Sequence, residues 1–232
     1  MIKVTELTKV YKGVTVVNIP DLSIAKGESF GLVGNNGAGK TTFFRMILDL
    51  IRPTTGNVVS KDEDVSKNED WKYFTGSYLD ESFLIDYLTP DEYFEFLATL
   101  HEYSTGDLNE FLNQFDELFN DEIRGKKKYI RDLSKGNQKK VGIVAALMGN
   151  PEVILLDEPF ANLDPTTQIR LKNLLKKWVD ENQLTMLISS HDLNHVTEVC
   201  ERIVLLEKGE VIQDIGTSSS TLKELEEYFA AF

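Results

Sequence analysis

The sequence predicts an α/β fold with a mostly parallel sheet core, an N-terminal antiparallel β subdomain and an inserted helical lobe. Short apolar runs alternate with amphipathic stretches, which indicates strands alternating with helices, and that order favours a parallel sheet. The alternation is interrupted at 85–150, where helix signals follow one another without a strand between them. With 232 residues, the chain is long enough for a single domain. We therefore expect one domain over 1–232, with 1–84 and 151–232 forming the sheet core.

The first part of the chain predicts strands around one glycine-rich loop. Residues 2–7 and 14–24 alternate apolar and polar side chains, which is typical of antiparallel strands with one buried face. The segments expected after them are a buried strand at 28–33, a helix from about Lys40 that ends before Pro53, a strand at Val58, an exposed loop at 60–70 and a strand at 73–79.

The helical lobe has a clear beginning. Thr89-Pro90-Asp91-Glu92 offers a capping hydroxyl, a proline at the first helical position and two acids in the first turn. A second helix is expected from Asp107, with an aromatic stripe up to Phe119 that we assign to the core. The segments predicted after Pro151 are strands at 153–156, 184–189, 202–207 and 210–215, and helices at 165–182, 192–201 and 220–231.

Composition and charge exclude several classes of protein. The net charge of −13 disfavours contact with nucleic acid or with an anionic membrane surface. The single cysteine, Cys200, rules out an intramolecular disulfide, fits a reducing compartment and is expected to be buried. The first residues lack the apolar region of a signal peptide, and no stretch approaches 18 apolar residues. We expect a cytoplasmic chain without direct membrane insertion.

Residues 34–42 carry the pattern G-x-x-x-x-G-K-[ST] between a predicted strand and a predicted helix. Small residues let several backbone N–H groups face one phosphate, while Lys40 reaches the outer phosphates and the Thr41 hydroxyl is placed to ligate Mg²⁺. The pattern predicts a nucleoside triphosphate site rather than an ordinary glycine-rich turn. The residues assigned to it are Gly34, Asn35, Asn36, Gly37, Ala38, Gly39, Lys40, Thr41 and Thr42.

Two acidic residues follow the apolar run 153–156. A carboxylate at the end of a strand beside the phosphate loop can hold the Mg²⁺ that Thr41 also contacts, so Asp157 is a predicted metal ligand. Glu158 comes one residue later, where its carboxylate can polarise a water aimed at the γ-phosphate. The alternative, two solvated acids in a loop, fits poorly with four preceding aliphatic residues and a following proline.

Three more short motifs occur in the chain: Leu-Ser-Lys-Gly-Asn-Gln at 133–138, Ala-Asn-Leu-Asp at 161–164, and His191 after a buried strand. With the phosphate loop and Asp157-Glu158, they resemble in order and spacing the phosphate loop, signature motif, Walker B motif, D-loop and switch histidine of the ABC ATPase family. The resemblance covers about 2–215. It implies a P-loop NTPase fold and ATP hydrolysis, in which 85–150 is the signature subdomain.

The resemblance also implies a role for each matching residue. Tyr11 would stack on adenine, and His191 would contact the γ-phosphate and hold Glu158 in place, so that Lys40, Glu158 and His191 are the catalytic set. In this family two domains pair head to tail around two ATP molecules. The residues expected to bind the ATP of the other subunit are Ser134, Gly136, Asn137 and Asp164.

The sequence departs from the family pattern at three places. The usual L-S-G-G-Q has Lys135 for a glycine and Asn137 for the glutamine. The glutamine expected before the helical lobe is replaced by Glu81, with Asp80 as its neighbour; a carboxylate there can still approach Mg²⁺ through water. Basic residues also crowd 124–140, which is either a solvated face or an electrostatic feature of the nucleotide site.

We expect the chain to energise a membrane transporter through a separate membrane-spanning permease. The groove near 81–87 would receive a helix of that partner, and Glu81 together with the compact C-terminal part is more similar to bacterial exporter-type ATPases than to importers. A soluble ABC ATPase that acts on ribosomes or DNA is the alternative. It is disfavoured by the absence of a second motif set and of a long coiled-coil insertion. A small-molecule kinase would leave the signature motif unexplained.

Overall fold

The structure, a computed structural model, describes residues 1–218, 220–223 and 225, and contains an N-terminal antiparallel sheet. In spatial order β2-β1-β4-β5, its strands are β2 (Val14–Ile24), β1 (Ile2–Tyr11), β4 (Thr55–Ser60) and β5 (Glu63–Asp64). β1 and β2 pair along most of their length, from Ile2 opposite Ile24 to Tyr11 opposite Val14. The predicted loop at 60–70 therefore contains a short strand, β5, which its polar composition did not indicate.

The second sheet has six strands in the order β10-β9-β3-β8-β7-β6. These are β10 (Glu210–Gly216), β9 (Arg202–Glu207), β3 (Ser29–Val33), β8 (Thr185–Ser190), β7 (Val153–Asp157) and β6 (Thr75–Tyr78). Only the β9–β10 pair is antiparallel among them. The expectation of a mostly parallel sheet is confirmed.

The described helices are α1 (Lys40–Ile47), α2 (Pro90–Leu100), α3 (Thr105–Asn113), α4 (Asp116–Phe119), α5 (Lys135–Leu147), α6 (Pro165–Asn182) and α7 (Leu193–Val199). The predicted start of α2 is confirmed, because the Thr89 backbone N–H donates to Glu92 while the Thr89 hydroxyl accepts from the Glu92 N–H. The single helix expected from Asp107 to Phe119 was wrong, since the chain turns at Phe115. The spacing of apolar residues does not reveal this break. Phe115, which lies at the break, is itself fully buried and so continues the apolar pattern.

The parallel sheet is buried on both faces, and this explains the continuous apolar runs of its strands. In β7, Val153 and Leu155 pack with α1 and the antiparallel sheet. Ile154 and Leu156 point the other way, into a cluster with the helical lobe. That cluster contains the predicted aromatic stripe, in which the Phe115 ring stacks on Trp178 of α6 with centroids 6.1 Å apart.

Two further predictions concern the last third of the chain. Cys200, between α7 and β9, is buried, as expected. Of the helix predicted at 220–231, positions 224 and 226–231 lie outside the described residues, while 221–223 are helical. Within 1–218, 220–223 and 225, the helices are all too short or too polar to cross a bilayer.

Candidate functional site

The glycine-rich loop joins the end of β3 to the start of α1, at the carboxyl edge of the parallel sheet. Gly39 adopts φ of 107°, a conformation that favours glycine. A Cβ on Gly34 would lie 2.2 Å from the carbonyl oxygen of Leu206 in β9. Among the residues that the structure describes, no side chain caps the first turn of α1, so its N–H groups remain available to an anion.

The side chain of Lys40 is folded back across this loop. It is buried, and its ammonium donates to the carbonyl oxygen of Gly34 at 2.6 Å. The same nitrogen lies 3.5 Å from Glu158 Oε1. A buried cation is stable only with such partners, and here they place one positive charge between the loop and the acid at the end of β7.

Asp157 ends β7 and is held on both of its oxygens. The Thr41 hydroxyl donates to Oδ2 at 2.5 Å, and the Ser189 hydroxyl donates to Oδ1. Burial raises the pKa of Asp157, while the hydrogen bonds from Ser189 and Thr41 act in the opposite direction. The predicted meeting of Thr41 and Asp157 is therefore present in the structure.

Glu158 is placed differently from its neighbour, because its carboxylate is 26% exposed and lies between two cationic or protonatable groups. One oxygen lies near Lys40, and the other lies 2.8 Å from His191 Nδ1. The backbone of Glu158 has φ of 49°, in the left-handed region that side chains rarely adopt. The arrangement gives a carboxylate that water can reach, with an imidazole fixed to one of its oxygens.

The two acids before the helical lobe diverge. Asp80 caps a short 3₁₀ turn by accepting from the Ser82 N–H at 2.8 Å, and its other oxygen lies 3.6 Å from Arg45. Glu81 points toward the signature segment, with Oε2 3.8 Å from Lys135 Nζ. Of the two, Glu81 is the acid without a capping role. The predicted approach of Glu81 to Mg²⁺ through water rests on the sequence, and its ion-pair partner among the described residues is Lys135.

The signature residues lie at the start of α5. The Ser134 hydroxyl accepts from the Asn137 N–H at 3.2 Å and so caps this helix. In the described part of the chain, no hydrogen bond or ion pair joins residues 134–137 to residues 34–42. The two halves of the predicted ATP site are thus not brought together within one subunit.

The D-loop packs beside the signature. A Cβ on Gly136 would lie 3.2 Å from the carbonyl oxygen of Asn162. Asp164 caps α6, because its side chain accepts from the Thr167 N–H at 3.0 Å and from the Thr167 hydroxyl at 2.5 Å. These hydrogen bonds lower the pKa of Asp164. A capping role was not predicted for this residue, which the sequence assigned only to the ATP of a second subunit.

The remaining candidates lie at the periphery of the site. Tyr11 ends β1 with its ring 46% exposed and the Lys9 ammonium 4.9 Å from the ring centroid. Past the turn after Tyr11, the carbonyl oxygen of Val16 approaches the phosphate loop at Gly39. His195, which belongs to none of the predicted motifs, places its ring 4.9 Å from that of Phe160.

Two residues of this site were missed in the sequence. Ser189 lies at the end of β8, in register with Asp157 of β7. The carboxyl ends of neighbouring parallel strands lie side by side. Comparing the last residues of each predicted strand would therefore have indicated Ser189. Lys139 was counted only as one of the basic residues in 124–140, but it is buried and contacts the chain at Glu158.

The sequence matches the ABC transporter family over residues 17–161, more than half of the chain. The chain belongs to the ABC transporter family. It carries the ATP-binding, ATP-hydrolysing domain of this family, and the P-loop fold inferred from the sequence is confirmed. The chain spans 59% of the length of the first curated relative described below.

This ABC subunit is similar to curated relatives and to solved structures. It is 31% identical over 226 residues to the glycine betaine/carnitine/choline transport ATP-binding protein OpuCA of Bacillus subtilis, covering 96% of this chain and 59% of OpuCA. It is 33% identical to the bacitracin transport ATP-binding protein BcrA of Enterococcus faecalis, covering 94% of this chain and 70% of BcrA. The ATP-binding cassette MJ0796, a dimer in a post-hydrolysis state with ADP and Pi, superposes with a TM-score of 0.83 at 29% identity, covering 94% of this chain and 100% of MJ0796.

Proposed function

We propose that this subunit hydrolyses ATP with Glu158 as the general base, on behalf of a separate membrane-spanning permease. One observation carries the proposal for the chemistry. The carboxylate of Glu158 lies 3.5 Å from the Lys40 ammonium and 2.8 Å from His191 Nδ1, beside the Thr41–Asp157 pair. A base, an imidazole that orients it and a phosphate-binding cation therefore meet at the edge of one sheet.

ATP would lie along the loop of residues 34–42. The backbone N–H groups of 34–39 and the first turn of α1, with Thr42, would surround the phosphates. The Lys40 ammonium already faces the loop interior, where it would bind the outer phosphates. The exposed ring of Tyr11 offers the π-face on which adenine would stack.

The residues at the end of β7 fit a magnesium ion. A hydroxyl and a carboxylate whose oxygens lie 2.5 Å apart, Thr41 Oγ1 and Asp157 Oδ2, are hard oxygen donors of the kind Mg²⁺ prefers. Glu81 would approach the ion through water. When bound, Mg²⁺ would neutralise charge on the phosphates.

The protein groups would act on the attacking water in a simple order. Glu158, whose carboxylate is partly exposed, would accept the proton of a water directed at the γ-phosphate. His191 would keep the other carboxylate oxygen fixed and would itself contact the phosphate. Lys40 would stabilise the negative charge that develops on the transferred group.

We also infer that the working unit is a head-to-tail dimer, whether of two copies or of paired ABC ATPase subunits. Among the described residues, no hydrogen bond or ion pair joins the signature residues Ser134, Gly136 and Asn137 to the phosphate loop of their own subunit, so we infer that a second subunit would supply them. Asp164 would join them from the D-loop. MJ0796, which is similar along its whole length, is dimeric.

The proposed domain division places a docking groove between the two parts. A cavity of about 470 Å³ lies between the sheet core, 1–84 and 151–232, and the helical signature subdomain, 85–150. Its wall carries exposed aromatic side chains, with Tyr73 86% exposed and Phe83 51% exposed. Apolar grooves of this kind receive an amphipathic helix of a partner. The partner we propose is the permease.

The direction we propose is export, since an acid, Glu81, stands where the family usually carries glutamine, as in the exporter-type ATPases that the sequence resembles. BcrA, a bacitracin transport protein, is similar over most of this chain. The subunit would then lie on the cytoplasmic face of the membrane, peripheral to it, and would be held there by the permease.

A charge in the groove tests the membrane partner. Leu97 of α2 lines the cavity, and Leu97→Asp should lower the fraction of the chain recovered with washed membranes of the native cell by about tenfold or more, because an unpaired charge would have to be buried on docking. Leu100→Asp, in the same helix but 63% exposed and outside the cavity lining, is the matched control and should behave as wild type.

A circular dichroism spectrum establishes that each variant is folded. Membrane recovery of Leu97→Asp equal to that of wild type would contradict the groove assignment. Sedimentation of the wild-type chain with ribosomes instead of membranes would favour the soluble ABC ATPase.

A further inference from the structure

A buried lysine lies directly beneath the turn that carries Glu158. Lys139 is 5% exposed and belongs to α5. Its ammonium donates to the carbonyl oxygen of Glu158 at 2.6 Å and to that of Ala161 at 2.8 Å. The segment between these carbonyls, residues 158–161, is called here the catalytic turn. Within it, the Ala161 N–H donates to the Glu158 carbonyl oxygen at 3.3 Å, which is long for a hydrogen bond.

Burying the ammonium of Lys139 at this position costs desolvation free energy. This cost indicates that its contact with the turn has a function. Burial lowers the pKa of Lys139, while the carboxylates of Glu81, Glu158 and Asp157 act in the opposite direction. A buried charge is tolerated when hydrogen bonds and opposite charges surround it. The two carbonyls and the nearby acids supply both.

The backbone that Lys139 holds is a strained one. Glu158 has φ of 49°, in the left-handed region that is unfavourable for a residue with a Cβ. Strain of this kind persists only where surrounding groups fix it. Ser189 fixes one side, because the Glu158 N–H donates to its carbonyl oxygen at 3.2 Å and to its hydroxyl at 3.0 Å. On the other side, Lys139 holds the Glu158 carbonyl.

We propose that Lys139 is a positioning residue for ATP hydrolysis, which fixes the catalytic turn and thereby keeps the Glu158 carboxylate between Lys40 and His191. The inference rests on the proposed role of Glu158 as base. Both of these hydrogen bonds of the Lys139 ammonium go to backbone carbonyls of the catalytic turn, so it would act through Glu158. Because α5 begins at the signature residues, Lys139 also joins the signature helix to the catalytic turn through one side chain.

The chain offers a matched control one residue away. Lys140 is also buried in α5, at 4% exposed, but its ammonium lies 3.4 Å from Glu122 in the helical lobe. Lys140→Met therefore removes a buried cation from the same helix without removing a bond to the catalytic turn. A lysine that only stabilises the fold would behave like Lys140.

The experiment compares Lys139→Met, Lys140→Met and Glu158→Gln with wild type in the full chain, by steady-state ATPase kinetics and thermal unfolding. For Lys139→Met we expect kcat to fall on the order of 10²-fold, because a small misplacement of a catalytic group has an effect of that size. We expect KM for ATP to stay within about twofold, since the phosphate loop is untouched. Lys140→Met should lose thermal stability and keep its kcat.

The outcomes separate this inference from the proposed function. A folded Lys139→Met with kcat within about threefold of wild type, or an equal fall in Lys140→Met, would overturn the positioning role. If Lys139→Met does not fold, Lys139→Ala, which also lacks a donor and leaves space for water at the two carbonyls, decides by the same criterion. Normal turnover by Glu158→Gln would remove the base itself, and the inference with it. An inactive Glu158→Gln beside a normal Lys139→Met overturns the inference alone.

Discussion

Glu158→Gln is expected to bind ATP, to accumulate as a dimer and to hydrolyse ATP about 10²- to 10⁴-fold more slowly than wild type. A general base contributes a rate factor of that size, and the amide cannot accept the proton. The amide keeps the size of the side chain, and it removes a negative charge 3.5 Å from the Lys40 ammonium. ATP binding should therefore be preserved or tightened, because Lys40 becomes free to bind phosphate. Turnover, nucleotide affinity and light scattering with ATP and Mg²⁺ measure the three expectations.

Glu152→Gln is the matched control for this prediction. Glu152 lies just before β7, at the end opposite Glu158, and pairs with Lys61 and Lys26 on the surface. Glu152→Gln should leave the rate of ATP turnover unchanged. Normal turnover by Glu158→Gln would mean that another group accepts the proton.

Lys40→Met is expected to weaken ATP binding by about 10- to 100-fold, the effect of losing one charge-assisted hydrogen bond. The rate at saturating ATP should fall further, by about 10²- to 10³-fold, because the lost charge would also stabilise the transition state. Methionine approximates the length of the lysine stem, so it should fill the buried position. Equilibrium binding of a fluorescent ATP analogue and single-turnover hydrolysis give the two numbers separately.

Loss of the ammonium also leaves the Gly34 carbonyl without its donor, so a circular dichroism spectrum accompanies the measurement. Lys67→Met, which removes a lysine that is 80% exposed and pairs with Asp64, is the control for loss of a positive charge. Wild-type ATP affinity in a folded Lys40→Met would exclude this lysine from the phosphate site.

The parts of the site that the sequence predicted are those encoded locally. The phosphate loop is one continuous segment, and its glycines have fixed backbone requirements, so Lys40 and Thr41 were placed correctly relative to one another. Asp157 was found because a buried strand ends at it. Its contact with Thr41 follows from the rule that ligands lie at the carboxyl edge of a parallel sheet.

The parts that the sequence did not predict depend on contacts between distant segments. Ser189 meets Asp157 only because β7 and β8 pair in one register. The burial of Lys139 depends on α5 packing under the catalytic turn, and a lysine in a run of basic residues gives no sign of it. The break between α3 and α4 likewise leaves no trace in the spacing of apolar residues. The aromatic stripe was correctly assigned to the core, but its partner Trp178 lies in another helix.

The central claim is that each ATP site is completed by a second subunit, and mixing two defective variants tests it most directly. Ser134→Arg would block the signature at an exposed helix cap, at a cost of about 1 kcal/mol in helix stability, and Glu158→Gln would remove the base. Each alone should be nearly inactive. A mixed dimer contains one complete site, made of Glu158 from the first variant and Ser134 from the second.

With random pairing, the mixture should recover about one quarter of the wild-type rate, because half of the dimers are mixed and each has one complete site. The measurement is ATPase activity at a fixed total protein concentration, as the ratio of the two variants is varied. The account predicts a maximum at equal amounts. A rate that never exceeds the weighted average of the two variants would contradict it.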